Sequence, residues 1–306
     1  MLRGLSADNW TDYETTLKKV CEDISNYQWW IEKGLLEFPS IQFGLEMAVQ
    51  DLNSNDHLLF PSEFTAGKKS IPINGLVWMG TKEFMRQQIE EKLEQGFDCV
   101  KMKIGAIDFE TEITLLESIR KRFSKETIEL RVDANGAFQI GEDVLSKLNT
   151  LSKLDIHSIE QPIQQGQIEA MRDLCKITPV PIALDEELIG IFEKEKKQEL
   201  ISLIQPQYII LKPSLVGGFR GSQEWIDAAA DYNIPWWITS ALESNIGLSA
   251  IGQLTYTLQN SMPQGLGTGS LYTNNFPSPL FIKDGALHYD DKGNWDLSLL
   301  KNKNLS

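Results

Sequence analysis

Through the second half of this chain, polar residues capable of acid–base or metal chemistry end apolar, β-like runs at near-regular intervals. They are Lys103, Asp133, Glu160, Asp185, Lys212 and Ser240, separated by 30, 27, 25, 27 and 28 residues. That interval equals one strand plus one returning helix, the repeat of a β/α barrel. In such a barrel the ends of successive strands meet at the C-terminal face. Groups scattered along the sequence then become one cluster of three carboxylates flanked by two lysines. That set suits an enzyme that uses a divalent metal and a lysine base.

Hydrophobic periodicity places the elements around these residues. Strands are predicted at Ile71–Trp78, Cys99–Ile104, Ile128–Asp133, Ile156–Glu160, Ile182–Asp185, Tyr208–Lys212 and Trp236–Ser240, with an irregular eighth passage near Gln264–Gly269. Phe109, Ile113, Leu116 and Ile119 stripe one intervening helix; Trp225, Ile226, Ala229 and Ala230 stripe another. Strands separated by helices pair in parallel, because a parallel crossover needs a dozen or more residues. The predicted class is α/β, a (β/α)7β TIM-like barrel with a partial α+β capping domain. An open doubly wound sheet is the structural alternative, but no GxGxxG loop follows the first strand.

The barrel is assigned residues 71–270. Residues 1–70 read as the helical part of the cap: Asp12 to Gln28 has near-helical spacing, and Phe38-Pro39-Ser40 opens a second helix. Ile41, Leu45, Ala48, Val49 and Leu52 share one face of that helix, and Asn53-Ser54-Asn55-Asp56 is a loop signal. After Gly269 the rhythm stops. Pro277, Pro279, Gly285 and the alternation around Ala286–Asp290 predict a loop and short hairpin in a segment, 271–306, that returns to the cap.

A net charge of −14 argues against nucleic acid or an anionic membrane as partner, since both need a basic footprint. No apolar run reaches the length of a membrane span, and no signal-peptide pattern opens the chain, so a soluble cytoplasmic protein is expected. Cys21, Cys99 and Cys175 form no CxxC pair and are expected to be buried thiols in a reducing cytosol. The run Glu193-Lys194-Glu195-Lys196-Lys197 reads as a solvated helix face. Oligomeric state is left open.

Asp133, Glu160 and Asp185 each close an apolar run and precede turn or helix-start residues. Taken singly, an Asp there is more often a helix N-cap than a ligand; three on consecutive strands change that balance. Three acidic side chains without cysteine or histidine suit a hard cation, by default Mg²⁺. The three histidines, His57, His157 and His288, end no strand, which speaks against zinc or a histidine triad. In Lys101-Met102-Lys103 the strand period of two puts both ammonium groups on one face. Two like charges side by side disfavour each other's protonation, which makes a neutral lysine base accessible. Lys212 follows four apolar residues and is expected across the barrel. Lysines on either side of carboxylate-bound Mg²⁺ fit removal of a proton α to a carboxylate.

The KxK pair, the Asp/Glu/Asp series on three successive strands and the lone lysine on the sixth resemble the enolase superfamily, in its muconate-lactonising subgroup. Within it the chain is similar to the o-succinylbenzoate synthases of menaquinone biosynthesis, through Phe38–Glu46, Arg131–Gly136, Ile159–Pro162, Lys212–Gly218, Ser240–Ser244 and Gly265–Gly269. The resemblance implies a small-molecule carboxylate substrate, 2-succinyl-6-hydroxy-2,4-cyclohexadiene-1-carboxylate, dehydrated to o-succinylbenzoate. It implies that Lys103 removes the α-proton and returns it to the departing hydroxyl, and that Lys212 stabilises the enediolate as a cation. It gives Lys101 and Arg131 supporting roles, Asp133, Glu160 and Asp185 the metal, and Asn135 and Glu186 places behind them. Ser240, Gly265, Gly267 and Thr268 would hold the succinyl arm.

The same scaffold admits a racemase or epimerase of N-acylamino acids, including an N-succinylamino acid racemase, with Lys103 and Lys212 as opposed bases. Gly267-Thr268-Gly269-Ser270 replaces the Asp-x-Asp motif that dipeptide epimerases of the subgroup carry at the eighth strand. From another class comes a non-catalytic barrel that binds metal or a partner. Because Gly4-Leu5-Ser6 resembles sequence that follows the family's β-rich cap strands, those strands are expected to be missing, and with them a lid.

Overall fold

The structure is a computed structural model that describes residues 4–54 and 57–301. Asn55 and Asp56 of the predicted loop, and Met1, lie outside the described residues. Ten strands are present among the described residues. The first five are β1 (Ile71–Pro72), β2 (Gly75–Val77), β3 (Cys99–Lys103), β4 (Glu129–Asp133) and β5 (Ser158–Glu160). The rest are β6 (Ile182–Leu184), β7 (Tyr208–Leu211), β8 (Trp236–Ile238), β9 (Leu280–Lys283) and β10 (Ala286–Tyr289). Strands β2 to β8 form one seven-stranded sheet in sequential order, and the pairings from β2 to β7 are parallel. The α/β class and the repeating strand–helix order expected from the sequence are both present.

The chain divides into two compact units, one of residues 74–211 and 224–237 and the other of 1–73, 212–223 and 238–306. In the first, apolar residues of β3 to β7 are buried almost throughout, as expected for parallel strands covered on both faces. Register is continuous: Lys101 pairs with Arg131 and Arg131 with Ser158, while Lys103 pairs with Asp133 and Asp133 with Glu160. Two polar rows therefore cross three adjacent strands. Helices Lys82–Glu94, Phe109–Arg120, Glu142–Ser152, Ile168–Ile177 and Lys194–Ile204 fill the connections. Thr81 and Asp108 cap the first two, accepting hydrogen bonds from the N–H groups of Phe84 and Thr111.

In the second unit, helix Pro39–Leu52 begins where Phe38-Pro39-Ser40 predicts, with Pro at its first position. Leu35, Phe38, Ile41 and Leu45 form a cluster there with Val20. β1, β10 and β9 make an antiparallel sheet, and β9 and β10 are the predicted hairpin. The irregular eighth passage is carried by single bridges, Gln264 to Ile73 and Gly265 to Thr239. Gln264, fully buried, completes it with its side chain: Oε1 accepts from the Ile238 N–H at 2.7 Å and Nε2 donates to the Met262 carbonyl at 2.6 Å.

Three expectations are corrected. Ile71–Trp78 is two short strands in different sheets, because Ile71 and Pro72 pair antiparallel with β10 while Gly75–Val77 pair parallel with β3. Lys197 is buried, its ammonium 2.7 Å from Glu224 and over the Trp225 ring, so the charged run around it is not wholly solvated. Cys21 is exposed, whereas Cys99 and Cys175 are buried and their thiols are pushed up to about 12, mainly by burial. No helix among the described residues is long and apolar enough to cross a membrane.

Candidate active site

In the unit of residues 74–211 and 224–237, side chains from the ends of β3, β4 and β5 converge. The Lys101 ammonium lies 2.6 Å from Glu160 Oε2 and 3.3 Å from Asp133 Oδ2. The Lys103 ammonium reaches the same Asp133 oxygen at 2.8 Å and Asn135 Oδ1 at 2.7 Å. Both lysines of the KxK motif thus share one carboxylate, as the common face predicts. Asp133, Glu160 and Asp185 are all buried, whereas the Lys103 side chain keeps 13% of its surface exposed. Lys103 is therefore the accessible member of the group. Its ammonium also faces the Trp78 ring, 5.6 Å from the centroid.

Local backbone geometry sets these positions. Asp133 uses its other oxygen, Oδ1, to accept from the Asn135 N–H at 3.1 Å, an Asx turn. Asn135 and Gly136 are both left-handed, with φ of 44° and 74°. A Cβ on Gly136 would come within 2.9 Å of the Gln164 backbone, so glycine is required for this tight return. The turn aims Asn135 between two partners: Lys103 on one side and Glu186 on the other, where Nδ2 donates to Oε1 at 2.9 Å. The Arg131 guanidinium donates to Glu129 at 2.7 Å and stacks over Trp237 at 4.2 Å.

Among the described residues no group of three or more His, Cys, Asp or Glu side chains stands ready to hold a metal ion. The donor chemistry nevertheless fits a hard divalent cation: three buried carboxylates on neighbouring strands and no soft ligand. Oxygens of Asp133 and Glu160 also accept from the Lys101 and Lys103 ammonium groups.

The unit containing residues 212–223 and 238–306 carries the remaining candidates. Lys212, directly after β7, is buried, and its carbonyl accepts from the N–H groups of Leu215 and Val216 at 2.8 and 3.1 Å. Ser240, Gly265 and Thr268 lie together. The Ser240 hydroxyl lies 2.6 Å from Thr268 Oγ1 and donates to the Gly265 carbonyl at 3.1 Å. Gly265 lies against Thr239, where a Cβ would overlap the Thr239 side chain. Gly267 precedes the helical turn Thr268–Ser270.

Four neighbours escape a reading that takes one polar group per strand end. Gln161 is fully buried; its Oε1 accepts from the N–H groups of Asp185 and Glu187, both at 3.3 Å, and its Nε2 donates to Glu187 and Ile163. It immediately follows Glu160, and that adjacency is the signal that could have found it. Trp78 reads as the apolar end of a strand. Ser214 and Glu243, 2.5 Å apart, sit within three residues of Lys212 and Ser240. Burial pushes the Glu243 carboxyl up, opposed by the Ser214 hydrogen bond and the nearby Lys212 charge.

Known proteins resemble this chain in sequence and fold. Residues 84–293 match the family described as enolase C-terminal domain-like. An o-succinylbenzoate synthase of Desulfotalea psychrophila (strain LSv54 / DSM 12343) is 50% identical over 280 residues, covering 91% of this chain and 75% of that protein. An o-succinylbenzoate synthase of Bacillus subtilis (strain 168) is 28% identical over 230 residues, covering 75% of this chain and 59% of the relative. The crystal structure of MenC from Desulfotalea psychrophila LSv54 superposes with a TM-score of 0.81 at 44% identity, covering 94% of this chain and 88% of that one.

Proposed function

The chain belongs to the enolase superfamily, and from that premise we propose that it is a menaquinone-pathway lyase that dehydrates 2-succinyl-6-hydroxy-2,4-cyclohexadiene-1-carboxylate to o-succinylbenzoate. The observation that carries the mechanism is the row Lys103–Asp133–Glu160, in register at the C-terminal ends of three adjacent parallel strands.

Lys103, the accessible amine of that row, removes the proton α to the substrate carboxylate and hands it to the departing hydroxyl. Asp133 and Asn135 hold the amine in place on one side and the Trp78 ring bounds it on the other. Lys101 fixes the orientation of the two carboxylates it touches. Lys212 serves as a cation toward the enediolate. Ser240, Gly265, Gly267 and Thr268 hold the succinyl arm. Asp133, Glu160 and Asp185 are the residues that would hold Mg²⁺, with Asn135 and Glu186 orienting the first of them. When bound, the ion supplies positive charge to a substrate that gains a second negative charge as its proton leaves. The enzyme is read as cytoplasmic.

Lys103→Ala should lower turnover by several orders of magnitude, since one group serves as both base and acid. The check is o-succinylbenzoate formation followed by absorbance, with near-normal turnover counting against the assignment. N-succinyl-L-amino acids incubated in D₂O should yield little D-product; racemisation as fast as dehydration would move the chain to the racemase reading.

A further inference from the structure

Lys212 is followed by the short helical turn Pro213–Val216 and then by Gly217-Gly218, the start of helix Gly218–Ala230. This junction is gripped by one helix distant in sequence, Pro39–Leu52. Gln42 Nε2 donates to the Gly217 carbonyl at 2.8 Å. The buried Glu46 carboxylate accepts the N–H of Phe219 through Oε2 and that of Arg220, at 3.3 Å, through Oε1. Gln42 Nε2 also donates to Oε1, at 3.3 Å. Three N–H groups thus point at one carboxylate, and two of them are orphan donors of a helix N-terminus, where negative charge is favoured.

The close approach is built into the sequence. Gly217 and Gly218 have φ of 96° and 72°, and a Cβ on Gly218 would run into the Glu46 carboxylate and come within 3.2 Å of the Phe43 Cα. Phe219 is clasped between the rings of Phe43 and Phe60, with centroids 5.5 and 5.2 Å away. A carboxyl group placed here is costly. Burial pushes Glu46 up to about 7, against the pull of its three N–H donors and the Arg220 charge. Carboxylates kept in such surroundings concentrate at functional positions.

We propose that Glu46 is a positioning residue for the reaction: by capping the Gly218–Ala230 helix it fixes the junction from which Lys212 is presented. The inference rests on the assignment of Lys212 as the enediolate-stabilising cation. Gln at position 46 keeps the shape but turns an N–H₂ group toward at least one of the three donors, so it cannot accept all three.

The test is a double-mutant cycle with Glu46→Gln, Lys212→Ala and the combined variant, reading kcat, KM and melting temperature, with Mg²⁺ affinity measured by calorimetry. Glu46→Gln should lower kcat about ten-fold or more while KM and Mg²⁺ affinity stay within roughly two-fold, and it should cost nothing further in the Lys212→Ala background. Should Glu46→Gln fail to fold, Gly218→Ala opens the same clamp from the other side and should give the same kcat loss and the same non-additivity. Full kcat in a folded clamp variant, or an equal loss in the Lys212→Ala background, would overturn the positioning role. Full turnover in Lys212→Ala alone would instead remove the assignment on which the inference rests.

Discussion

At the scale of single residues, the candidate chemistry-bearing groups are legible because each ends an apolar run, and three acidic strand ends in succession outweigh the N-cap role that any one of them alone would suggest. Their supports are not legible in that way. Gln161 acts through hydrogen bonds that exist only once the strand ends are brought side by side; Asn135 is named by the family resemblance, while its contacts with Lys103 and Glu186 come from the fold. Arg131 is named from the motif, and its contacts with Glu129 and Trp237 are likewise made only in the folded sheet. Because Gln161 ties down the backbone N–H of Asp185, Gln161→Ala should lower Mg²⁺ affinity about 10–100-fold, the usual effect of removing a group that orients a ligand. Asp185→Asn should lower it further. Calorimetric titration of Mg²⁺ into each purified variant measures both, and unchanged affinity in Asp185→Asn would take that residue out of the ligand set.

At the scale of elements, long periodic segments declare themselves and short ones do not. Helix Pro39–Leu52 begins where Pro39 signals, and helix Phe109–Arg120 carries the stripe of Phe109, Ile113, Leu116 and Ile119. The stretch 71–78 reads as one strand because apolar residues continue across a change of partner sheet, and nothing local marks that change. The part-buried ion pair of Lys197 and Glu224 is hidden in a charge run for a similar reason, since the two belong to different helices. One helix also carries a local inconsistency. Gly44, inside Pro39–Leu52, lines an apolar cavity of about 280 Å³ bounded by Met47, Leu59, Ile246 and Trp295, and nothing lies within 4 Å of where its Cβ would be. A helical glycine costs roughly 1 kcal/mol relative to alanine. Gly44→Ala should therefore stabilise the protein by about 0.5–1 kcal/mol, seen as a higher urea midpoint; a lower midpoint would mean that the helix needs glycine at this point.

At the scale of the whole molecule, the regular spacing of strand ends makes the α/β barrel class readable from the amino-acid order alone. The grouping of residues 212–223 and 238–306 with the first 73 depends instead on contacts far apart in sequence. Stability should carry the mark of one of those contacts. Glu46 has its folded-state value raised from 4.5 to about 7, so its favourable contribution is complete below the unfolded value and is lost as pH rises through about 7. Over that window the wild type should lose up to about 3 kcal/mol relative to Glu46→Gln. Urea unfolding of both proteins at roughly pH 5 and 8.5 measures the difference, and parallel pH profiles would show that Glu46 does not titrate with folding. The eighth passage has a consequence of another kind. It is held by two single bridges and by one glutamine side chain that stands in for missing backbone partners. Its Gln264 N–H reaches the Pro72 carbonyl across most of the chain, a contact whose loop-closure entropy is recovered late in folding. Transient opening should begin at this seam, so the amides of Ile238 and Gln264 should exchange with deuterium faster than those of β4 and β5, and Gln264→Ala should speed them further while leaving the central strands protected.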